Sequence, residues 1–173
     1  MRVTRTLARF ALAGFALSAS CASHRATPVE GSPAPTAAEG AEVVRVAERL
    51  FAGMRTRDTA LLRSIIAPDL VIVAARGDSA RMAIRSQSAT EFLRAVATSV
   101  VELRERLWEP HVHIDGAIAT LWAPYDFHLG ERFSHCGHDA FQLARGDRGW
   151  YVTGLTYTVR TSGCTGPPPG EDR

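Results

Sequence analysis

The hydrophobic and polar positions follow two periods along this chain, a helical period first and a strand-like period afterwards. Residues 41–57 place apolar side chains three and four positions apart with charged ones between them, which predicts an amphipathic helix. A shorter helix should follow, because Asp58 suits an N-cap and Pro68 suits a stop. The apolar run 70–75 predicts a buried strand, and residues 88–98 return to the helical period.

From residue 100 onwards the pattern is that of strands. Residues 100–129 alternate apolar with polar side chains over long stretches and contain the turn-forming pair Asp115-Gly116. Two more tight connections are predicted at 129–132 and 145–149, where glycine stands among charged residues. Helices followed by an antiparallel meander predict an α+β fold, in which the N-terminal helices pack on a curved antiparallel sheet.

The N-terminus has the layout of an export signal. Three arginines precede the apolar run 10–17, and small residues follow at 18–20. The run is too short to span a bilayer as a mature helix. Cys21 comes next, and residues 17–21 resemble a bacterial lipobox, with Ser18 where that motif usually has Leu, Val or Ile. We predict lipidation at Cys21, with soluble secretion as the alternative. The expected location is therefore extracytoplasmic, either as a periplasm-facing envelope lipoprotein or as a secreted protein.

Two segments have compositions that do not support a fold. Residues 22–40 are rich in Ala, Pro, Ser, Thr and Gly without apolar periodicity, which predicts a flexible linker after the 1–21 export segment. Residues 165–173 contain three consecutive prolines and charged ends, which predicts a disordered tail. The folded domain is therefore predicted at 41–164, a length that suits a single core.

Charge and motif content exclude several classes of function. The formal net charge is +2 over 173 residues, and part of the surplus lies in the export signal, so nucleic acid is not an expected partner. The sequence contains no Walker motif, no G-x-G-x-x-G and no C-x-x-C. Nucleotide-binding, dinucleotide-binding and thioredoxin-like functions are therefore not supported.

A resemblance to a known superfamily emerges from the order of elements and from four short motifs. The motifs are WAPYDF at 122–127, FSHCG at 133–137, AFQL at 140–143 and GW at 149–150. Together with the helix–helix–strand–helix–meander order, they resemble the nuclear transport factor 2-like superfamily, and within it the lumazine-binding group of SnoaL-like bacterial proteins. The resemblance covers 41–164 and implies a cone-shaped fold around a small-molecule pocket.

The resemblance does not choose a reaction, because the superfamily includes isomerases, dehydratases, polyketide cyclases and binding modules. Its steroid isomerases carry a carboxylate base on or just after the first strand, whereas the run 70–75 contains no acid. The first helix also offers no Tyr to stabilise an oxyanion. Both observations weigh against an isomerase of that type and direct attention to the hairpins.

Strand parity predicts which hairpin side chains point inward. If Phe133 and Phe141 face the core, His135 and Asp139 share that face. A two-residue turn at 130–131 would then place His135 opposite Asp126 and Asp139 opposite Trp122. His135 and Asp126 could act as a general base with its orienting carboxylate, or they could form a structural pair. The predicted ligand-binding residues are Trp122, Asp126, His135, Asp139 and Phe141, with Trp122 and Phe141 as an apolar wall.

Under the same register, Tyr125 and Phe127 would lie on the opposite face of the sheet. This placement predicts a contribution to a homodimer interface, or ordinary packing. A metal site is not expected, because His111 and His113 share a face without a third ligand, and no cofactor is expected either.

Cys136 and Cys164 remain as an even pair once Cys21 is assigned to the lipobox. In an oxidising compartment they predict a disulfide. Two buried free thiols and a nucleophilic Cys136 are the alternatives.

The sequence thus predicts an extracytoplasmic domain that binds a small, apolar or planar molecule in a cone-shaped pocket. One alternative is an isomerase, dehydratase or cyclase that uses His135 and Asp126. Another is a non-catalytic, dimeric envelope accessory protein.

Overall fold

The structure, a computed structural model, describes residues 36–78 and 81–167. Within these ranges the chain forms three helices, which are α1 (Ala37–Thr56), α2 (Thr59–Ile65) and α3 (Ala89–Thr98). The same ranges form seven strands: β1 (Ile66–Asp78), β2 (Arg81–Ser88), β3 (Leu103–Leu107), β4 (His111–Asp115), β5 (Ile118–Leu129), β6 (Arg132–Gly146) and β7 (Gly149–Val159). The predicted export signal, Cys21 and most of the linker and tail lie outside the described residues.

Helix α1 begins at Ala37, earlier than the predicted residue 41. The cause is a capping box: the Thr36 hydroxyl accepts a hydrogen bond from the Glu39 amide at 3.2 Å, and the Glu39 carboxylate accepts one from the Thr36 amide at 3.0 Å. The helix ends where Arg57 adopts a left-handed conformation with φ 58°. The predicted linker, 22–40, therefore extends too far at its C-terminal end. The first helical turn has no apolar periodicity, so the pattern of apolar residues did not mark it as helix.

The two shorter helices begin as predicted. The Asp58 carboxylate accepts hydrogen bonds from the amides of Ala60 and Leu61 at 3.0 and 2.9 Å and caps α2. Ser88 forms a second capping box with Glu91 and starts α3. The buried side chains of these helices pack, together with one face of α1, on the concave face of the sheet.

The described strands form one sheet in the order β2-β1-β7-β6-β5-β3, with β4 also paired to β5. Strands β1 and β7 are parallel, and every other pairing is antiparallel. The long strand β5 pairs with β4 along its first half and with β3 along its second half. Strand β2 was not predicted, because its sequence is largely polar and lacks a buried face over residues 83–88. It lies at an edge of the sheet, and its residues 83–86 are all exposed. The α+β prediction is confirmed.

A disulfide joins Cys136 on β6 to Cys164, which follows β7. The backbone of Cys136 exchanges two hydrogen bonds with Arg160, at 2.9 and 2.8 Å, so the end of β7 lies directly beside this cysteine. Gly163, with φ 65°, turns the chain back so that Cys164 reaches its partner. The pairing is the one that the cysteine count predicted.

None of the helices in residues 36–78 and 81–167 combines the length and the apolar character that a membrane crossing requires.

Candidate functional site

The register of the β5–β6 hairpin differs from the predicted one by a single inserted residue. Leu129 pairs with Arg132 as predicted, but a bulge between Phe127 and His128 shifts all later pairs. Phe127, rather than Asp126, is therefore opposite His135. Because side chains alternate along a strand, the shift also reverses the predicted faces of β5. Residues that were predicted to point outward point into the cone, and the reverse.

Asp126 consequently points away from the cone and has a different partner. The Arg106 guanidinium on β3 donates to both oxygens of Asp126, at 3.0 and 2.5 Å, and the His128 ring lies 3.8 Å from the carboxylate. In place of His135, Asp126 is paired across the hairpin with Cys136. The predicted His135–Asp126 pair is therefore wrong, and Asp126 is an ion-pair partner on the outer face.

Two of the predicted ligand-binding residues also lie elsewhere. Trp122 is 48% exposed on the outer face, where its ring stacks on His138 with a centroid separation of 5.1 Å. Phe141 does face inward, but it is fully buried against Phe51 in the core. Neither residue forms the planar wall of a pocket.

The interior of the sheet contains a cavity of about 300 Å³ between the helices and the strands, here called the cone cavity. Its apolar lining comes from Leu50, Met54, Ile72, Phe92, Val96 and Leu155. Its aromatic lining comes from Tyr125, Phe127, His135 and Tyr157. Gln87, Ser99 and Glu105 add polar groups, and Ala95 and Leu103 complete the wall. The cavity is of a size and composition typical of small-molecule sites.

Tyr125 and Phe127 are thus inside the cone, where they cannot contribute to a dimer interface. The Tyr125 hydroxyl donates a 2.8 Å hydrogen bond to the carbonyl of Thr158 on β7. Its ring can lie across β6 because the residue opposite is Gly137. A β-carbon at position 137 would lie 2.0 Å from the Thr158 carbonyl oxygen, so this close approach of strands requires glycine.

The polar centre of the site is a pair of carboxyl groups, Glu105 on β3 and Asp139 on β6. Both side chains point inward, and each carboxyl affects the pKa of the other. Asp139 is fully buried, and in the described part of the chain neither of its oxygens has a hydrogen-bond partner. Two negative charges this close repel each other, so the pair favours a state in which at least one carboxyl is protonated.

Burial sets the protonation of this pair. It raises the pKa of Asp139 to about 7, and the nearby Glu105 carboxyl opposes that rise. Burial and the adjacent Asp139 carboxyl raise the pKa of Glu105 well above its ordinary value. Glu105 also lines a second cleft of about 290 Å³ between α1 and β3, here called the helix cleft, whose other walls include Glu48, Arg55, Arg104 and Pro167.

His135 faces the cone cavity, as predicted, among aromatic rings. Its ring centroid lies 5.0 Å from that of Phe127 and 6.4 Å from that of Tyr157, and its Nδ1 is 3.0 Å from the Ser134 hydroxyl. Burial, with a smaller effect from the positive charge of Arg76, lowers the pKa of His135 to about 4. The ring is therefore neutral at neutral pH.

The structure thus brings together two predicted residues, His135 and Asp139, with three that the sequence reasoning did not select, Glu105, Tyr125 and Tyr157. A signal for Glu105 was present, because it has the same strand parity as Leu103 and Leu107. The predicted register placed Tyr125 on the wrong face of β5, because it did not include the bulge. Tyr157 alternates with Leu155 and Val159 on β7 and could have been found in the same way.

Metal binding has no support in the described residues, where no three His, Cys, Asp or Glu side chains are grouped as a ligand set. His111 and His113 lie on the exposed face of β4.

Comparison with known proteins shows the fold. No family model and no curated protein matches the sequence. A cystatin-like-fold protein of unknown function from Nostoc punctiforme superposes with a TM-score of 0.60 at 14% identity, over 75% of this chain and 97% of that one. A nuclear transport factor 2-like protein of unknown function from Shewanella baltica gives 0.55 at 16% identity, over 75% of this chain and 100% of that one.

A candidate dehydratase of the nuclear transport factor 2-like family from Streptomyces avermitilis gives a TM-score of 0.56 at 15% identity, over 72% of this chain and 98% of that one. The finer resemblance to the lumazine-binding group stays a prediction. The superfamily resemblance is confirmed at the level of architecture: this chain has the nuclear transport factor 2-like fold.

Proposed function

We propose that this protein binds a small, largely apolar molecule in the cone cavity, outside the cytoplasm. The cavity itself is the observation that carries the proposal. It has room for a ligand of about a dozen non-hydrogen atoms, its lining is mainly aliphatic and aromatic, and a few polar groups, led by Glu105, could orient the ligand.

The test is native mass spectrometry of the full chain purified from its own envelope fraction. Ala95 is an exposed residue of α3 that lines the cavity, so Ala95→Trp should obstruct the cavity without disturbing the core. Ala97→Trp on the same helix, exposed and not part of the lining, is the matched control. We expect a small-molecule adduct in the wild type and in Ala97→Trp that is absent from Ala95→Trp. Spectra without an adduct in all three would contradict the proposal.

A second candidate function is proton transfer, as in an isomerase, dehydratase or cyclase. The Glu105–Asp139 pair favours it, because the pKa of Asp139 is about 7, where an acid–base group works efficiently. The candidate dehydratase from Streptomyces avermitilis shares the fold. The pair replaces the predicted His135–Asp126 pair in this role.

Proton transfer can be tested with acetophenone as a probe, by following deuterium incorporation next to its carbonyl by NMR. A catalyst would accelerate the exchange in the wild type but not in Glu105→Gln. Equal rates in the two proteins would count against catalysis and leave the binding function in place.

The location and the lipid anchor are proposed from the sequence, with the Cys136–Cys164 disulfide as support, since disulfides persist in oxidising compartments. Metabolic labelling with palmitate should mark the wild type and not Cys21→Ser. A labelled Cys21→Ser protein would exclude this cysteine as the anchor.

A homodimer remains part of the proposal. With Tyr125 and Phe127 inside the cone, its interface would have to use other residues, and the outer face of the sheet exposes Trp122 and Ile118. Analytical ultracentrifugation of the wild type and of Trp122→Ala would decide whether this face is used.

A further inference from the structure

We propose that the ligand of the cone cavity is a small organic cation, whose protonated amine is held against Glu105, with the buried Asp139 carboxyl behind it, and beside the rings of Tyr125, Phe127 and Tyr157. The inference rests on the proposed binding function and specifies the chemical class of its ligand.

The first support is the unmet acceptor capacity of Asp139. Its side chain is 0% exposed, and within the described residues its two oxygens receive no hydrogen bond from an N–H group or a hydroxyl. Buried carboxyls are ordinarily satisfied by several donors or by a cation. Asp139 lies on the inward face of β6 and contacts Glu105, which lines the cavity. An ammonium group brings three donors and a positive charge, which suits two adjacent carboxyls.

The second support is the charge of the pair. Burial raises the pKa of Asp139 to about 7, so this carboxyl is mostly ionised at pH 8. A ligand cation would compensate this buried negative charge, whereas a neutral ligand would leave it uncompensated.

The third support is that, among the described residues, the lining of the cone cavity contains no side chain that is positively charged at neutral pH. His135 is uncharged at neutral pH, and Arg106 forms an ion pair with Asp126 on the outer face. Arg76 on β1 is exposed, and its charge acts on Tyr125, Tyr157 and His135. The described wall of the cone cavity around Glu105 therefore contains no Arg or Lys side chain that would repel an ammonium group.

The aromatic rings supply the remaining contacts. The Tyr125 and Tyr157 rings are perpendicular, with centroids 6.0 Å apart, and Phe127 lies beside His135. The negative faces of such rings attract ammonium groups, with a gain of about 1–2 kcal/mol where water is excluded. The aliphatic part of the cavity, formed by residues such as Leu50 and Val96, would hold the apolar body of the ligand.

The test is calorimetric titration of the full chain with two matched probes, 2-phenylethylammonium and 2-phenylethanol, at pH 8. They have the same apolar body and differ in the charge of the end group. In the wild type we expect the ammonium to bind about tenfold more tightly or better, since tenfold corresponds to about 1.4 kcal/mol. The isosteric double variant Glu105→Gln/Asp139→Asn should lose this preference. Asp126→Asn, which alters an acid on the outer face, should keep it.

A second measurement covers the case in which the double variant does not fold. In the wild type the ammonium preference should increase from pH 6 to pH 8, as the pair gains net negative charge. Of the groups that face the pair, Tyr125 and Tyr157 keep their protons and His135 stays neutral over this range, so the change reports on the pair.

Equal or tighter binding of the alcohol would overturn the cation inference and leave small-molecule binding intact. Failure of both probes to bind would also overturn it, and the Ala95→Trp comparison would then decide the binding function independently.

Discussion

Glu105 and Asp139 come from strands that are not neighbours in the sheet, yet inside the cone their carboxyls are close enough to affect each other's pKa. Strand β5 lies between β3 and β6, and it places Phe127 opposite Glu105 and Ala123 opposite Asp139. The two acids are therefore offset along β5 rather than directly across it.

The pair predicts an unusual pH dependence of stability. The folded pKa of Asp139, about 7, exceeds its ordinary value of 3.8, so the folded state binds more protons between these values and stability falls as pH rises through them. His135 acts in the opposite sense, because its folded pKa, about 4, lies below its ordinary 6.5, and stability rises over that window. Glu105, whose folded pKa is also raised, acts in the same sense as Asp139, so the carboxyl pair opposes the effect of His135.

Variants should separate them in urea unfolding experiments. His135→Gln should leave the effect of the carboxyl pair, to which Asp139 alone contributes a fall on the order of 4 kcal/mol in unfolding free energy from about pH 4 to pH 7. Glu105→Gln/Asp139→Asn should instead leave a rise between about pH 4 and 6.5. Identical pH profiles for the two variants would contradict the assigned pKa shifts.

Gly137→Ala should lower the free energy of unfolding by about 3 kcal/mol, because the added methyl would overlap the Thr158 carbonyl and separate β6 from β7. Gly40→Ala is the matched control. Position 40 lies in α1 with open space around it, so the same change should stabilise the protein by about 0.5–1 kcal/mol. Chemical denaturation measures both, and a neutral Gly137→Ala would argue against the close strand approach.

Cys136→Ser/Cys164→Ser should destabilise the protein by about 3 kcal/mol, as expected for opening a loop with a sequence separation of 28. Thermal unfolding in the presence of a reductant should lower the melting temperature of the wild type to that of the variant. A wild type that is insensitive to reductant would show that the bridge does not form.

Asp126→Asn should lower stability by about 2 kcal/mol, because it leaves the partly buried Arg106 without its carboxylate partner. Glu131→Gln breaks the exposed Arg104–Glu131 pair and should cost less than about 0.5 kcal/mol. Both variants should bind ligand like the wild type. A selective loss of binding in Asp126→Asn would restore Asp126 as a site residue.

The sequence predicted the architecture well, because helix caps such as Asp58 and the pair Asp115-Gly116 are local signals. It also predicted that His135 and Asp139 face inward. It could not predict the partners of His135, since one extra residue near Ser134 exchanges the faces of β5, and nothing in the local pattern marks that bulge. The meeting of Glu105 with Asp139 is set by the curvature of the sheet, which sequence parity does not reveal.

Glu105 lines both the cone cavity and the helix cleft, so its carboxyl forms part of the wall between two openings. A ligand that fills one opening leaves the other in contact with water. We therefore expect proton exchange at Glu105 to continue while the ligand is bound. A proton displaced by ligand binding would leave through the helix cleft, on the side of α1 and β3. Release of the proton would then not depend on release of the ligand.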